Sequence, residues 1–263
     1  MTYQTVILVR EKGIATITLN RPEALNAFNS QLGQDLRAAT EEIKRDKGVR
    51  VVIITGAGDK AFCSGRDLKE YSEYGATPIE DWERRLGGGL PFGIIDVPQP
   101  VIAAVNGYAI AGGLELALAC DVRIASERAT FGLFEIRRGF FPGAGATWRL
   151  APLVGKGWAM ELVLSGDTIT AQVAERIGLV NRVVPHEKLM DSAHELAGKI
   201  ASRSAPAVML AKAAINQAMA AYEQIGFNIC VALRALAETN QDAREGARAF
   251  VEKRPARFKQ DSA

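Results

Sequence analysis

The sequence predicts an α/β fold assembled from repeated strand-and-glycine-loop units and finished by a helical C-terminal region. Three observations predict it. Residues 50–55 and 101–105 are unbroken runs rich in apolar and β-branched side chains, the mark of strands buried on both faces, and residues 121–125 form a third. The first two run straight into glycine, at Gly56-Ala57-Gly58 and at Gly107, so one supersecondary unit recurs along the chain. From about residue 143 the pattern is mostly helical. With 263 residues, 48% apolar and 24% charged, the chain is long enough for one large domain with a full core and a helical appendage.

Taken in order, residues 5–9 and 14–19 are strand-like and are split by Glu11-Lys12-Gly13, which predicts a hairpin. Asn20-Arg21-Pro22 ends it, and Ser30 is the expected N-cap of a helix over 31–44. Lys44 and Arg45, with Lys47 and Arg50, read as complements to that helix's C-terminus in preference to a nucleic-acid stripe. Residues 71–96 mix Tyr, Trp, Gly and Pro without a period, as a mobile or binding segment does. Helices are expected at 158–164, 171–177, 188–203, 206–222, 226–238 and 242–253, with a short strand at 179–184. The expected division is a core over 1–200 and a C-terminal helical region over 201–263.

Composition excludes several classes. A net charge of +2 suits an anionic metabolite and is too small to argue for nucleic acid. The three cysteines, Cys63, Cys120 and Cys230, make neither a disulfide framework nor a CxxC metal site, and predict a reducing compartment. No secretory signal and no membrane-spanning run is visible, so the expected location is the cytoplasm. Glycine clusters do not complete a dinucleotide fingerprint, since Ala61 stands where Gly56-x-Gly58 needs its third glycine. His186 and His194 have no GxSxG partner, which argues against a hydrolytic triad.

Chemistry gathers around Glu115. Between Asp96 and Asp121 it is the one formally charged residue, set in Gly112-Gly113-Leu114-Glu115-Leu116-Ala117. A carboxylate inside an apolar helix is costly unless it is bonded or protonated. It reads either as a structural glutamate held by a backbone group or arginine, or as an acid–base group tuned by desolvation. Gly112 and Gly113 stand where strand 101–105 and its loop hand over to that helix. Unpaired N–H groups there can stabilise an oxyanion, and the Ser64-Gly65-Arg66 turn offers a second donor. Glu135, in Phe131-Gly132-Leu133-Phe134-Glu135-Ile136, is similarly surrounded. The neighbouring Arg137 and Arg138 leave a local ion pair open. Facing one cavity, the two acids could share a water, one deprotonating it while the other donates a proton.

At these residues the chain resembles the enoyl-CoA hydratase/isomerase (crotonase) family. The match runs through Asn20-Arg21-Pro22-Glu23-Ala24-Leu25-Asn26-Ala27, Ala61-Phe62-Cys63-Ser64-Gly65-Arg66-Asp67-Leu68-Lys69-Glu70 and Asn106-Gly107-Tyr108-Ala109-Ile110-Ala111-Gly112-Gly113-Leu114-Glu115. It continues through Phe131 to Glu135 with Pro142-Gly143-Ala144-Gly145, and closes at Phe250-Val251-Glu252-Lys253-Arg254-Pro255-Ala256-Arg257-Phe258. The resemblance implies a crotonase-like spiral of repeated ββα units whose C-terminal helices build a homotrimer or a dimer of trimers. It implies oxyanion N–H groups from Arg66 and Gly112, and coenzyme A contacts at Ala24, Asp67, Leu68, Lys69 and Phe258. The two glutamates, twenty positions apart, imply reversible syn addition of water to a 2-trans-enoyl-CoA, with Glu115 activating the water and Glu135 protonating Cα. Coenzyme A then enters as part of the substrate, without prosthetic group or metal. A double-bond isomerase, a dehydratase for a carnitinyl or cyclic acyl-CoA, and an RNA-binding or non-catalytic relative are the rival readings.

Overall fold

The computed structural model describes residues 2–70 and 94–258, so most of the unpatterned 71–96 segment lies outside the described residues. Strands β1 (Val6–Glu11) and β2 (Ile14–Leu19) form the expected antiparallel hairpin, turned at Lys12 and Gly13 with φ of 50° and 80°. Helix α1 (Ser30–Arg45) follows. Its cap is Asn29 in place of the expected Ser30: the Asn29 side chain accepts from the Leu32 N–H at 2.9 Å, and Ser30 is already helical. Leu32, Leu36, Ala39 and Ile43, spaced by three or four, are its buried face. At its end Lys44 pairs with Glu41 at 2.7 Å, and Arg50 donates to the Ala201 carbonyl at 2.6 Å. These contacts engage two members of the cationic segment in local structure.

The three buried runs are β3 (Val51–Gly56), β5 (Val101–Val105) and β7 (Val122–Ser126). Each is followed by a three-residue strand: β4 (Ala61–Cys63), β6 (Tyr108–Ile110) and β8 (Thr130–Gly132). The long strands join a six-stranded sheet in the order β1-β2-β3-β5-β7-β10, with β10 at Arg182–Val184. The short ones join a four-stranded sheet, β4-β6-β8-β9, with β9 at Thr168–Thr170. Both sheets therefore grow by one strand per repeat in the same direction, which makes the repeated unit a spiral. All neighbours within the repeats are parallel. The second sheet is not anticipated by the sequence.

Alternation along β3 explains why it must be apolar throughout. Val52 and Ile54 enter the main core with Leu32, Leu36, Phe62 and Phe131, while Val51 and Ile53 face the opposite layer. That layer is closed by helix α5 (Leu189–Ala201) through Leu189, Ala193 and Ala197.

Helix α2 (Gly112–Leu118) follows β6, and helix α3 (Ala146–Ser165) starts earlier than expected, bending at Gly155 where φ is 81° and ψ 156°. Strand β9 (Thr168–Thr170), helix α4 (Ala171–Arg176) and strand β10 (Arg182–Val184) come next. The strand expected over 179–184 is thus shorter, because the amides of Leu179 and Val180 both bond back to the Ala174 carbonyl and prolong the helix turn. The helices expected at 206–222 and 226–238 are one, α6 (Ala205–Thr239). Position 226 takes glycine because a Cβ there would come within 2.4 Å of Trp148 Cβ; it marks close packing on α3, and the helix runs on through it. Helix α7 (Gln241–Val251) ends the described helices, capped by Asn240, and no described helix is long and apolar enough to cross a membrane.

Candidate active site

Two backbone segments meet at one corner of the second sheet. The turn after β4 holds Gly65 at φ 92° and is clamped from both sides by Phe28, whose N–H donates to the Gly65 carbonyl at 2.7 Å while its carbonyl accepts from Asp67 N–H at 2.8 Å. Beside it α2 begins after Ala111, a non-glycine residue held at φ 53° and fixed by its N–H to the Gly132 carbonyl at 2.8 Å. A Cβ on Gly112 would stand 3.5 Å from Gly65 Cα and 3.9 Å from the Arg66 amide nitrogen. The amides of Arg66 and Gly112 are therefore neighbours, as the sequence predicts. Gly113 has a different reason to be glycine: a Cβ there would lie 1.9 Å from the Cys63 carbonyl oxygen. Its absence lets α2 lie directly on β4.

Asn26 and Asn106 brace the loop between β3 and β4. Asn26 Nδ2 donates to the Ala57 and Ala61 carbonyls at 3.0 and 2.8 Å. Asn106 Nδ2 reaches the carbonyls of Gly56, Gly58 and Ala61 at 2.8–3.2 Å. Both side chains are buried. Sequence reasoning quoted both asparagines without giving them a role; a polar amide just before Ala27 and just before Gly107, between apolar runs, is the signal that was there to read.

One turn into α2, Glu115 is only 3% exposed, and its Oε1 accepts from Ala144 N–H at 2.6 Å and Ala146 N–H at 3.2 Å. Burial pushes its carboxyl up; those two amides, Arg234 and Arg149 oppose the rise. Glu135 stands just beyond β8, and its Oε2 is buried without a hydrogen-bond partner. Burial first, then the nearby Glu115 carboxylate, push it up to about 8. The open alternative for Glu135, an ion pair with its own neighbours, is not what forms among the described contacts. Arg137 pairs with Asp167 and lies over the Phe134 ring, while Arg138 lies over the Phe250 ring at 4.8 Å.

Both acids line a cavity of about 1360 Å³ together with Arg66 and Gly112. That is larger than a pocket for a compact metabolite needs and suits a long, extended ligand. Ala24, Asp67, Leu68 and Lys69 line the same cavity. Asp67, however, also meets Arg21 Nη2 at 3.0 Å, and Arg21 Nη1 donates to the Ala27 carbonyl at 2.6 Å. Asp67 thus ties the 20–28 loop to the Gly65-Arg66 turn besides facing the cavity. Phe258 is 38% exposed and is not in the wall of this chain's cavity. Phe227 and Arg234 are wall residues that the sequence does not single out; they come from α6, far along the chain from both glutamates.

Comparison with known proteins follows the same outline. The profile of the enoyl-CoA hydratase/isomerase family matches residues 9–261. A short-chain-enoyl-CoA hydratase of Clostridium acetobutylicum is 42% identical over 262 residues, covering 97% of each chain. A crotonyl-CoA hydratase of Syntrophomonas wolfei is 41% identical over 259 residues, 98% of this chain and 99% of the relative. Among solved structures, a carnitinyl-CoA hydratase from Mycobacterium avium superposes with a TM-score of 0.87 at 38% identity, over 98% of this chain and 99% of that one.

Proposed function

The chain belongs to the enoyl-CoA hydratase/isomerase family, and from that premise we propose that it is an enoyl-CoA hydratase, adding water reversibly and syn across the double bond of a 2-trans-enoyl-CoA. The observation that carries the reading is the pair of buried acids with unlike surroundings. Glu115 is held by two backbone amides, which favour its ionised form. Glu135 has one buried oxygen without a partner and a carboxyl pushed up to about 8, so it keeps its proton at neutral pH.

The steps balance. Glu115 takes a proton from water while the hydroxide oxygen bonds to Cβ. The π electrons move toward the thioester carbonyl, whose oxygen accepts from the Arg66 and Gly112 amides. The enolate then collapses and Cα takes the proton of Glu135. Each oxyanion donor is worth about 3 kcal/mol at comparable sites. The turnover leaves Glu115 protonated and Glu135 ionised, and exchange of one proton restores the pair. Ala24, Leu68 and Lys69 would meet the coenzyme A portion, with Phe258 contributing from the C-terminal region of a neighbouring subunit. The chemistry needs no prosthetic group.

Oligomerisation belongs to the same reading. Residues 1–200 form the acyl-CoA core and 201–263 the helical region that builds a homotrimer, alone or paired, supported by an exposed apolar stripe on α6. Three free, buried cysteines fit a reducing cytoplasm, and a role in fatty-acid breakdown fits the substrate class. Crotonyl-CoA is the first substrate to try. Loss of its conjugated-thioester absorbance, with 3-hydroxybutyryl-CoA as product, is expected. Conversion of a 3-enoyl-CoA with no hydration of any 2-enoyl-CoA would replace this reading with an isomerase.

A further inference from the structure

One wall of the cavity comes from α6, and that helix is pinned in place. Lys212 Nζ lies 2.7 Å from Asp121 and donates to the Gln99 carbonyl at 2.9 Å. Arg149 of α3 meets Glu223 at 2.8 Å, Gly226 packs on Trp148, and Cys230 Sγ lies 3.7 Å from the Pro142 carbonyl. One turn beyond Cys230, Arg234 lies across Gly143. A Cβ at that glycine would stand 2.5 Å from Arg234 Nη1 and 2.6 Å from its Cδ. The next residue is Ala144, whose amide holds Glu115. Arg234 thus shares the cavity wall with both acids and presses on the loop that orients one of them.

We propose that Arg234 is a positioning residue that holds the Glu115–Glu135 pair at a single negative charge, with Glu115 as the ionised member. The proposal rests on the hydration reading and adds a component to it. Two carboxyls sharing a buried cavity resist joint ionisation, and burial disfavours even one charge. A fixed cation nearby lets one ionise without drawing both. Among the cations that act on the pair, Arg149 acts on Glu115 and Arg234 on both acids, so the difference lies in reach and not in the lack of other partners. Arg149 also meets Glu223 and keeps a buried Nη1 without a hydrogen-bond partner, and Arg137 pairs with Asp167. Arg138 lies over Phe250, and burial raises the Cys230 thiol, leaving it neutral.

The test is the pH dependence of kcat and KM with crotonyl-CoA for Arg234→Met, Arg234→Lys and Gly143→Ala. Without the cation both acids bind protons more tightly, so the whole bell of kcat/KM against pH moves to the alkaline side. A move of about one pH unit in Arg234→Met is expected, with kcat near pH 7 down about tenfold and KM little changed. Arg234→Lys should return the bell toward its original position. Gly143→Ala, which displaces the guanidinium without deleting it, should move the bell the same way by less. An unmoved bell in Arg234→Met overturns the proposal. Should that variant not fold, an unmoved bell in Gly143→Ala overturns it equally. Glu115→Gln and Glu135→Gln separate the two levels. If both keep wild-type turnover the hydration reading fails, whereas dead glutamine variants beside an unmoved arginine bell remove only Arg234.

Discussion

Glu115 and Glu135 are chemically the same residue in one cavity, and their environments pull them apart. Burial raises both carboxyls and Arg234 opposes the rise at both; two amides and Arg149 oppose it further at Glu115, whereas an orphaned oxygen and the neighbouring Glu115 carboxylate favour the proton on Glu135. Replacing either by Gln removes one proton transfer and should lower kcat by roughly 10²–10⁴, with far-UV circular dichroism unchanged. Stability supplies an independent check. The carboxyl of Glu135 is raised in the folded chain from its usual 4.5 to about 8. Below pH 4.5 the folded and unfolded chains both hold the proton and nothing is lost. Between 4.5 and 8 the unfolded chain ionises first, so stability falls as pH rises through that window. Glu135→Gln removes the penalty and should be the more stable protein at pH 8, by an amount on the order of a few kcal/mol, and indistinguishable at pH 4. Urea titrations at the two pH values measure this. Equal midpoints at pH 8 would mean that the side chain is hydrated. Both acids were legible in the sequence because each stands in an apolar string. Arg234 was not, since on a long helix a lone cation reads as part of a solvated face until α6 is known to pack on the 142–146 loop.

At the scale of elements, the proposed oxyanion site depends on how closely α2 lies on β4. The two glycines that open α2 serve separate needs, and a methyl group distinguishes them. At Gly112 the added carbon meets ordinary contact distances, 3.5 Å from Gly65 Cα and 3.9 Å from the Arg66 nitrogen, in the space that a thioester oxygen would occupy. Gly112→Ala is expected to fold with a near-normal melting temperature and to lose most turnover. At Gly113 the carbon would overlap the Cys63 carbonyl at 1.9 Å, so the helix must move off the strand. Gly113→Ala should cost about 1–3 kcal/mol or more and lose turnover along with stability, as thermal melts beside assays will show. A Gly113→Ala protein as stable as the parent would contradict the packing described. The long strands were legible because four to six consecutive buried residues leave a pattern. Strands β4, β6 and β8 were not, because three residues are too few to show a period, and Ala61-Phe62-Cys63 in a glycine-rich loop looks like loop. The spiral nonetheless depends on them, since β4 and β6 carry the Arg66 and Gly112 amides to one edge.

At the scale of the whole molecule, α6 carries more apolar surface than the other described residues cover. Ile215, Met219, Tyr222, Ile225, Ile229 and Leu233 recur at intervals of three or four, and all are exposed, Ile215 and Ile225 by more than 60%. Leu153, Met160 and Leu164 of α3 are exposed as well. Scattered single residues of this kind are ordinary; a helical stripe of them is what the proposed subunit contact would cover. The sequence displayed the stripe but could not show which face the core left open, because α6 also buries part of itself against α3. A homotrimer covering the stripe should elute and scatter light at three times the mass of one chain, or six times if trimers pair. Placing Glu at both Ile225 and Ile229 sets two charges in that contact and should give monomers with a lower melting temperature. The same helix bears Arg234 and Phe227 in the cavity wall, so the monomers should also lose turnover even though both glutamates are intact. A double variant that keeps the parent's mass would move the interface elsewhere, and a monomer with full activity would show that α6 holds its place in the wall without neighbours.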